Sequence, residues 1–324
     1  MGPWLDTALA CSRAPLHGRF FTRGVDWPRW RNLERAQRRG ELFDFTDAVP
    51  ATHLHGGRRH GTRKCWTGSL APMASGTRLD FRWFHGTAPQ PNAVVLNPSS
   101  SGISLLESRL LVGPLLRAGF DVLIPRTSRP RTEDRSAGSS RRGDCSAARL
   151  VQALVDLARG DVALARWLRS RGYTRVLVAG LGFGGAAAGQ AAARSDAFDA
   201  CVIAMHGAQL ADPWCTPAAL RRALDWKALR AAGIESESSL RQLLEPFSLE
   251  SLNLPPTLPG ELVAARKDRL IPAQCVERLA ARWDWPVRWL SGGHVEIYSQ
   301  RNTLGQSLES VLGRARITRE ARHV

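Results

Sequence analysis

The sequence has very little lysine. Of its 45 basic side chains only Lys64, Lys227 and Lys267 are lysines, which leaves 42 arginines against 29 acidic residues and a net charge of +16. So lopsided a ratio reads as coding bias as much as selection for a polyanionic partner. The charge speaks to solubility and non-specific attraction, not to fold. Long apolar runs are also missing: none reaches the roughly 18 residues of a membrane-crossing helix, which excludes a helical span. Cys11, Cys65, Cys145, Cys201, Cys215 and Cys275 are scattered, with no CxxC and no paired metal-ligand spacing. They are read as reduced thiols of an intracellular, cytoplasmic protein. The first 23 residues lack an apolar core of secretory length. Arg13, Arg19 and Arg23 against Asp6 leave a mitochondrial presequence open, and Asp6 occupies the place where myristoylation wants Ser or Thr.

What is present is enough apolar material, 44% of 324 residues, for a sizeable core in two domains or one enlarged α/β domain. Composition separates three zones, and no internal repeat is visible. Residues 1–77, rich in Arg, Trp, His and Gly with a helix expected over 30–39, read as an irregular segment wrapped around the core. Residues 78–207 alternate short apolar runs with long helical patterns, the sign of parallel βαβ units. Strands are expected at 79–85, 93–97, 121–125, 175–179 and 199–204, and helices at 105–118 and 147–171, the latter with a costly Gly160 inside it. The 126–143 loop is rich in Ser and Gly and carries six arginines. Residues 208–258 read as short helices ending in the breakers Pro255, Pro256, Pro259 and Gly260, an insertion suited to a cap over a site. Residues 259–324 return to the core, with strands at 261–265 and 287–290 and helices at 273–283 and 298–316.

The chemistry concentrates in three turns. The strand Val176-Leu177-Val178-Ala179 runs into Gly180-Leu181-Gly182-Phe183-Gly184-Gly185 and then an Ala-rich helix. That is the context of the G-x-S-x-G nucleophile elbow, except that the nucleophile position is Gly182. Gly180, Gly182 and Gly185 also match G-x-G-x-x-G. A dinucleotide fingerprint belongs to the first βα unit, with an acidic residue closing the second strand, and here Asp196 and Asp199 precede the next strand. Downstream, Asp268 follows one strand and His294 the next, in the order nucleophile, acid, histidine of α/β-hydrolases. Such a histidine takes and returns a proton while the aspartate fixes its tautomer.

At these residues the chain resembles the α/β-hydrolases, and most closely the branch typified by abhydrolase domain-containing protein eighteen. The resemblance rests on Phe21-Thr22-Arg23-Gly24, Ala71-Pro72-Met73-Ala74, the 180–185 elbow, Lys267-Asp268 with Ile271-Pro272, and Gly292-Gly293-His294. It implies an α/β fold with an eight-stranded, mostly parallel sheet flanked by helices, an ester or thioester substrate of lipid type, and a Ser, Asp, His triad. Carried over, Asp268 and His294 take the acid and base positions, and Gly182 is a vacant nucleophile position. Phe183 would supply an oxyanion N–H, and Asn97-Pro98-Ser99-Ser100-Ser101-Gly102 stands where the family has a Gly- and Thr-containing oxyanion loop, with Asn97, Ser99 and Ser100 as its candidates.

Three readings follow. One is a degenerate hydrolase that binds a small-molecule or lipid ester, or a partner, without turnover. The second is an active hydrolase in which His294 activates water, or Ser99, Ser100 or Ser101 supplies the hydroxyl. The third is a peripheral adaptor at an anionic membrane, since seven arginines between 19 and 39 interleave with Trp4, Trp27 and Trp30. No cofactor or metal is expected, because His53, His55 and His60 lack a fitted carboxylate or Cys. No specific nucleic-acid partner is expected either, because no recognised module accompanies the charge.

Overall fold

A computed structural model describes residues 20–45, 52–60, 63–70, 78–86, 91–99, 104–128, 145–215, 221, 224–255, 257–300 and 302–320. In chain order its elements are α1 (Trp27–Arg38), β1 (Thr52–His60), β2 (Arg63–Leu70), β3 (Arg78–His85), β4 (Asn92–Asn97), α2 (Ser104–Arg117) and β5 (Phe120–Ser128). These are followed by α3 (Ala147–Ser170), β6 (Arg175–Leu181), α4 (Phe183–Arg194) and β7 (Ala200–Ala204). The remainder comprises α5 (Asp212–Cys215), α6 (Trp226–Ala231), α7 (Glu237–Leu244), β8 (Gly260–Ala265), α8 (Ala273–Trp283), β9 (Val287–Leu290), α9 (Glu296–Ser299) and α10 (Thr303–Glu320).

The nine strands of the described residues form one sheet in the order β1-β2-β3-β5-β4-β6-β7-β8-β9. From β5 to β9 every pairing is parallel. The run β1-β2-β3-β5 is antiparallel. Strands β4, β6, β7 and β8 are buried along nearly their whole length, which is why they read as continuous apolar runs. One apolar layer lies under α1, α3, α4 and α8, the other under α2 and α10. Inside α3, a Cβ at Gly160 would stand 2.5 Å from Leu79 Cδ1, so the glycine that looks costly in sequence lets this helix approach β3.

Two expectations need correction. The sheet has nine strands, not eight, and the second half of the 1–77 zone is not an irregular wrapping segment: β1 and β2 lie there and extend the sheet edge. These strands, THLHGGRRH and RKCWTGSL, carry few apolar residues because an antiparallel edge is held by its backbone ladder and needs only partial burial. The helix expected over 30–39 starts earlier, at Trp27, with the Asp26 side chain accepting from Arg29 N.

The 208–258 insertion does hold helices. Gln190 on α4 donates to Phe247 O at 2.7 Å, Ala208 N donates to Cys275 O, and Arg278 on α8 bonds Asp212 at 3.2 Å. Trp30 of α1 packs edge-on against Phe247. The segment therefore runs along α1, α4 and α8 and fills the place of a crossover helix between β7 and β8. Among the described residues no helix is long and apolar enough to cross a membrane. No disulfide joins any two of the five described cysteines. Cys11, Ala71-Pro72-Met73-Ala74, Ser100, Ser101 and most of the 126–143 loop lie outside the described residues.

Candidate active site

The site is built at the C-terminal ends of the parallel strands, where loops rather than ladder bonds decide which side chains meet. Strand β6 ends at Leu181, and the chain reverses into α4 through Gly182, with φ 52° and ψ −122°. Gly182 N donates to Ala204 O on β7, and Gly182 O accepts from Gly185 N and Ala186 N, so the turn is tied to the sheet and to the helix it starts. The backbone here keeps the left-handed twist that an L-residue adopts only under strain. There is room for a side chain: a Cβ on Gly182 would have Ser99 Cβ at 3.5 Å, an ordinary contact. Gly184 has no such room, since its Cβ would lie 2.5 Å from Pro98 O and 2.6 Å from Asn97 O. The elbow is thus seated directly on the turn that follows β4.

The candidates Phe183, Ser99 and Asn97 lie at this junction in different ways. Phe183 opens α4, so its N–H is one of the first-turn donors with no acceptor within the helix. Pro98 has no N–H, which makes Ser99 the first residue of the facing turn able to donate. Asn97 directs its amide elsewhere: it is completely buried and donates to Asp161 Oδ2 on α3 at 2.5 Å.

Asp268 and His294 meet. Asp268 sits in the turn after β8, with Oδ1 accepting from Leu270 N at 2.7 Å and Ile271 N at 2.8 Å, while Oδ2 bonds His294 Nδ1 at 2.8 Å. Arg266 N donates to Leu290 O and Lys267 N to Gly292 O, zipping the turn after β8 to the turn after β9 so that the two side chains face each other. An ionised carboxylate can only accept, so Nδ1 carries the proton and Nε2 is the unprotonated ring nitrogen. Asp268 is almost fully shielded while the His294 side chain is 21% exposed.

One titratable group at this edge has no part in the sequence reading. His206 lies two residues past the end of β7, is buried, and neither ring nitrogen has a hydrogen-bond partner. Burial pushes its pKa down to about 4, the nearby Asp212 charge opposing. Its Cβ lies 3.3 Å from where a Cβ on Gly185 would stand, which puts the ring beside the first turn of α4. The available signal was positional, a histidine two residues past the end of a strand expected to run into this edge. Asp212 itself is wholly buried and held by Arg241 at 2.9 Å and Arg278 at 3.2 Å. Among the described residues no cluster of three or more His, Cys, Asp or Glu side chains could hold a metal ion.

No protein-family profile matches the sequence, and no curated protein sequence matches it. Solved structures do match. Acetyl xylan esterase 1 from Thermoanaerobacterium sp. JW/SL YS485 is 15% identical and superposes with a TM-score of 0.58 over 90% of this chain and 96% of its own. The acetyl xylan esterase from Paenibacillus sp. R4 is 14% identical, with a TM-score of 0.58 over 92% and 98%. At such identity the likeness is one of fold. With a mostly parallel sheet, an elbow turn at its centre and an Asp–His pair on the two strands beyond, the chain has the α/β-hydrolase fold.

Proposed function

We propose that this protein hydrolyses a carboxylic ester, with His294 as base, Asp268 orienting it, and Ser99 as the nucleophile that the elbow no longer supplies. The observation that carries the reading is the position of Ser99, whose Cβ is 3.5 Å from the place of the missing Cβ on Gly182. A hydroxyl lost from one side of the cleft is offered from the other.

In this reading Ser99 Oγ adds to the ester carbonyl carbon as its proton passes to His294 Nε2. The oxyanion that forms accepts from the Phe183 N–H at the start of α4. Collapse breaks the ester C–O bond, and the leaving alcohol takes the proton back from His294. Water then repeats the cycle on the acyl group, releasing the acid and restoring Ser99. The narrower resemblance, to the branch typified by abhydrolase domain-containing protein eighteen with its elbow serine replaced by Gly182, belongs to this proposal too, as does an acyl substrate of lipid type. The exposed large hydrophobics among the described residues, Phe20 at 39% and Trp27 at 37%, flank exposed Arg23 and precede exposed Arg31. That mix favours presentation of the substrate at an anionic lipid surface.

The competing reading, a degenerate hydrolase that binds without turnover, draws on the absent hydroxyl at Gly182. Incubation with a fluorophosphonate probe and p-nitrophenyl acetate, with mass spectrometry of the labelled peptide, separates the two. The expected result is label on Ser99 and loss of both label and turnover in Ser99→Ala. A silent parent protein, or label that survives Ser99→Ala, overturns the assignment.

A further inference from the structure

The strand that delivers Ser99 is anchored by a buried pair whose proton count is short by one. Asn97, the last residue of β4, and Asp161, in the middle of α3, are both completely buried. Asn97 Nδ2 donates to Asp161 Oδ2 at 2.5 Å. The other oxygen of each side chain, Asn97 Oδ1 and Asp161 Oδ1, is buried with no hydrogen-bond partner. Two acceptors sealed from water in one pair are expensive, and among the described residues no ion pair reaches Asp161. Turning the amide over does not help, because Asn97 Oδ1 would then face Asp161 Oδ2 and a donor would still be missing.

We propose that Asp161 is held as a neutral carboxylic acid in a two-bond pair with Asn97, its proton lying between Asp161 Oδ1 and Asn97 Oδ1, and that this pair positions the 97–99 turn. A single proton supplies the missing donor and closes the ring that a carboxylic acid and an amide form together. The surroundings agree: burial pushes the Asp161 carboxyl well above the usual carboxylate range, against the Asn97 hydrogen bond that favours ionisation. Cys201 on β7, an ionisable neighbour, does not supply a charge either: burial pushes its thiol up, so it too stays neutral. The two residues after Asn97 are the ones that crowd the elbow, Pro98 O against Gly184 and Ser99 Cβ against Gly182. Asp161 is thus a positioning residue, acting through Asn97. Its catalytic consequence rests on the proposed ester hydrolysis, whereas the proton does not.

Asp161→Asn makes the test sharp, since an amide closes the same ring and cannot ionise. The native wild type keeps a proton that the unfolded chain loses above about pH 3.9, so wild-type stability falls as pH rises from there through the raised native pKa. Urea unfolding between pH 5 and 8 is expected to show the folding constant of Asp161→Asn gaining on wild type by about tenfold per pH unit while Asp161 stays protonated. Parallel profiles would overturn the neutral acid. Positioning is read by hydrogen exchange of the 97–99 and 182–185 peptides, seen whether or not the protein turns over ester. Asp161→Ala is expected to speed exchange there by about tenfold or more, and Asp161→Asn to leave it at the wild-type rate. Equal exchange in all three proteins, or an Asp161→Asn protein as fast as Asp161→Ala, would overturn the positioning role. Where the parent hydrolyses p-nitrophenyl acetate, kcat should follow the same order with KM little changed. A parent without turnover would defeat the proposed function alone.

Discussion

The turn at Gly182 and the turns at Asp268 and His294 share one edge of the sheet but are held by opposite means. The elbow is held by the absence of side chains: Gly184 admits the carbonyls of Asn97 and Pro98, and Gly182 carries a positive φ. The acid–base turns add side chains to their backbone ties, through three hydrogen bonds to one carboxylate. Adding atoms strains the first, and removing them unties the second. Loss of Asp268 would leave two N–H groups and an imidazole without their acceptor.

Breaking the side-chain half should have the largest effect. His294→Ala is expected to lower ester turnover by roughly a thousandfold or more, and Asp268→Asn by a similar order, because the wrong tautomer removes the base. Steady-state rates with p-nitrophenyl acetate, alongside circular dichroism to verify folding, check this. A His294→Ala protein of unchanged rate would detach the pair from the chemistry.

His206 sharpens the comparison, as a buried histidine beside the elbow whose ring nitrogens have no hydrogen-bond partner. Its native pKa of about 4 lies below the unfolded value of about 6.5. The stability it contributes is fully present above pH 6.5 and is lost as pH falls through that window, by about 3 kcal/mol in all. His206→Gln should flatten the wild-type decline between pH 6.5 and 4 in urea titrations. An undiminished slope would mean that other groups carry the acid sensitivity.

Additions at the elbow should be smaller and unequal. Gly184→Ala meets two backbone carbonyls and is expected to cost about 1–3 kcal/mol or more. Gly182→Ser meets only Ser99 and carries the backbone strain alone, about 1–3 kcal/mol. It should also regain fluorophosphonate labelling in a Ser99→Ala background, where Gly182→Ala would not. If Gly182→Ser proves the more disruptive of the two, the room seen at that turn is not real. The smallest effect belongs to the surface: binding to anionic vesicles should fall steeply with salt, and Trp27→Ala should weaken it a few-fold. Equal binding to neutral vesicles would remove the lipid-surface proposal.

Much of the fold was legible because buried parallel strands must be apolar throughout. Runs such as Val94-Val95-Leu96 and Val176-Leu177-Val178 announce themselves, and glycines at 180, 182 and 184 mark a turn whatever its chemistry. The outer strands β1 and β2 were not legible, because their backbone ladders can be satisfied by almost any residues, here His, Gly and Arg. The order of Gly182, Asp268 and His294 along the chain was also readable, since each follows a strand that ends on the same edge. Three things waited for the tertiary structure: the meeting of Ser99 with the elbow, the diversion of the Asn97 amide to Asp161, and the stranded ring of His206. Each depends on which residues from distant parts of the chain come within a few ångströms, and on whether water is excluded when they do. Local sequence patterns carry the period of an element and the chemistry of its turns, but the partners and solvation of a buried polar group are set only when the layers close over it.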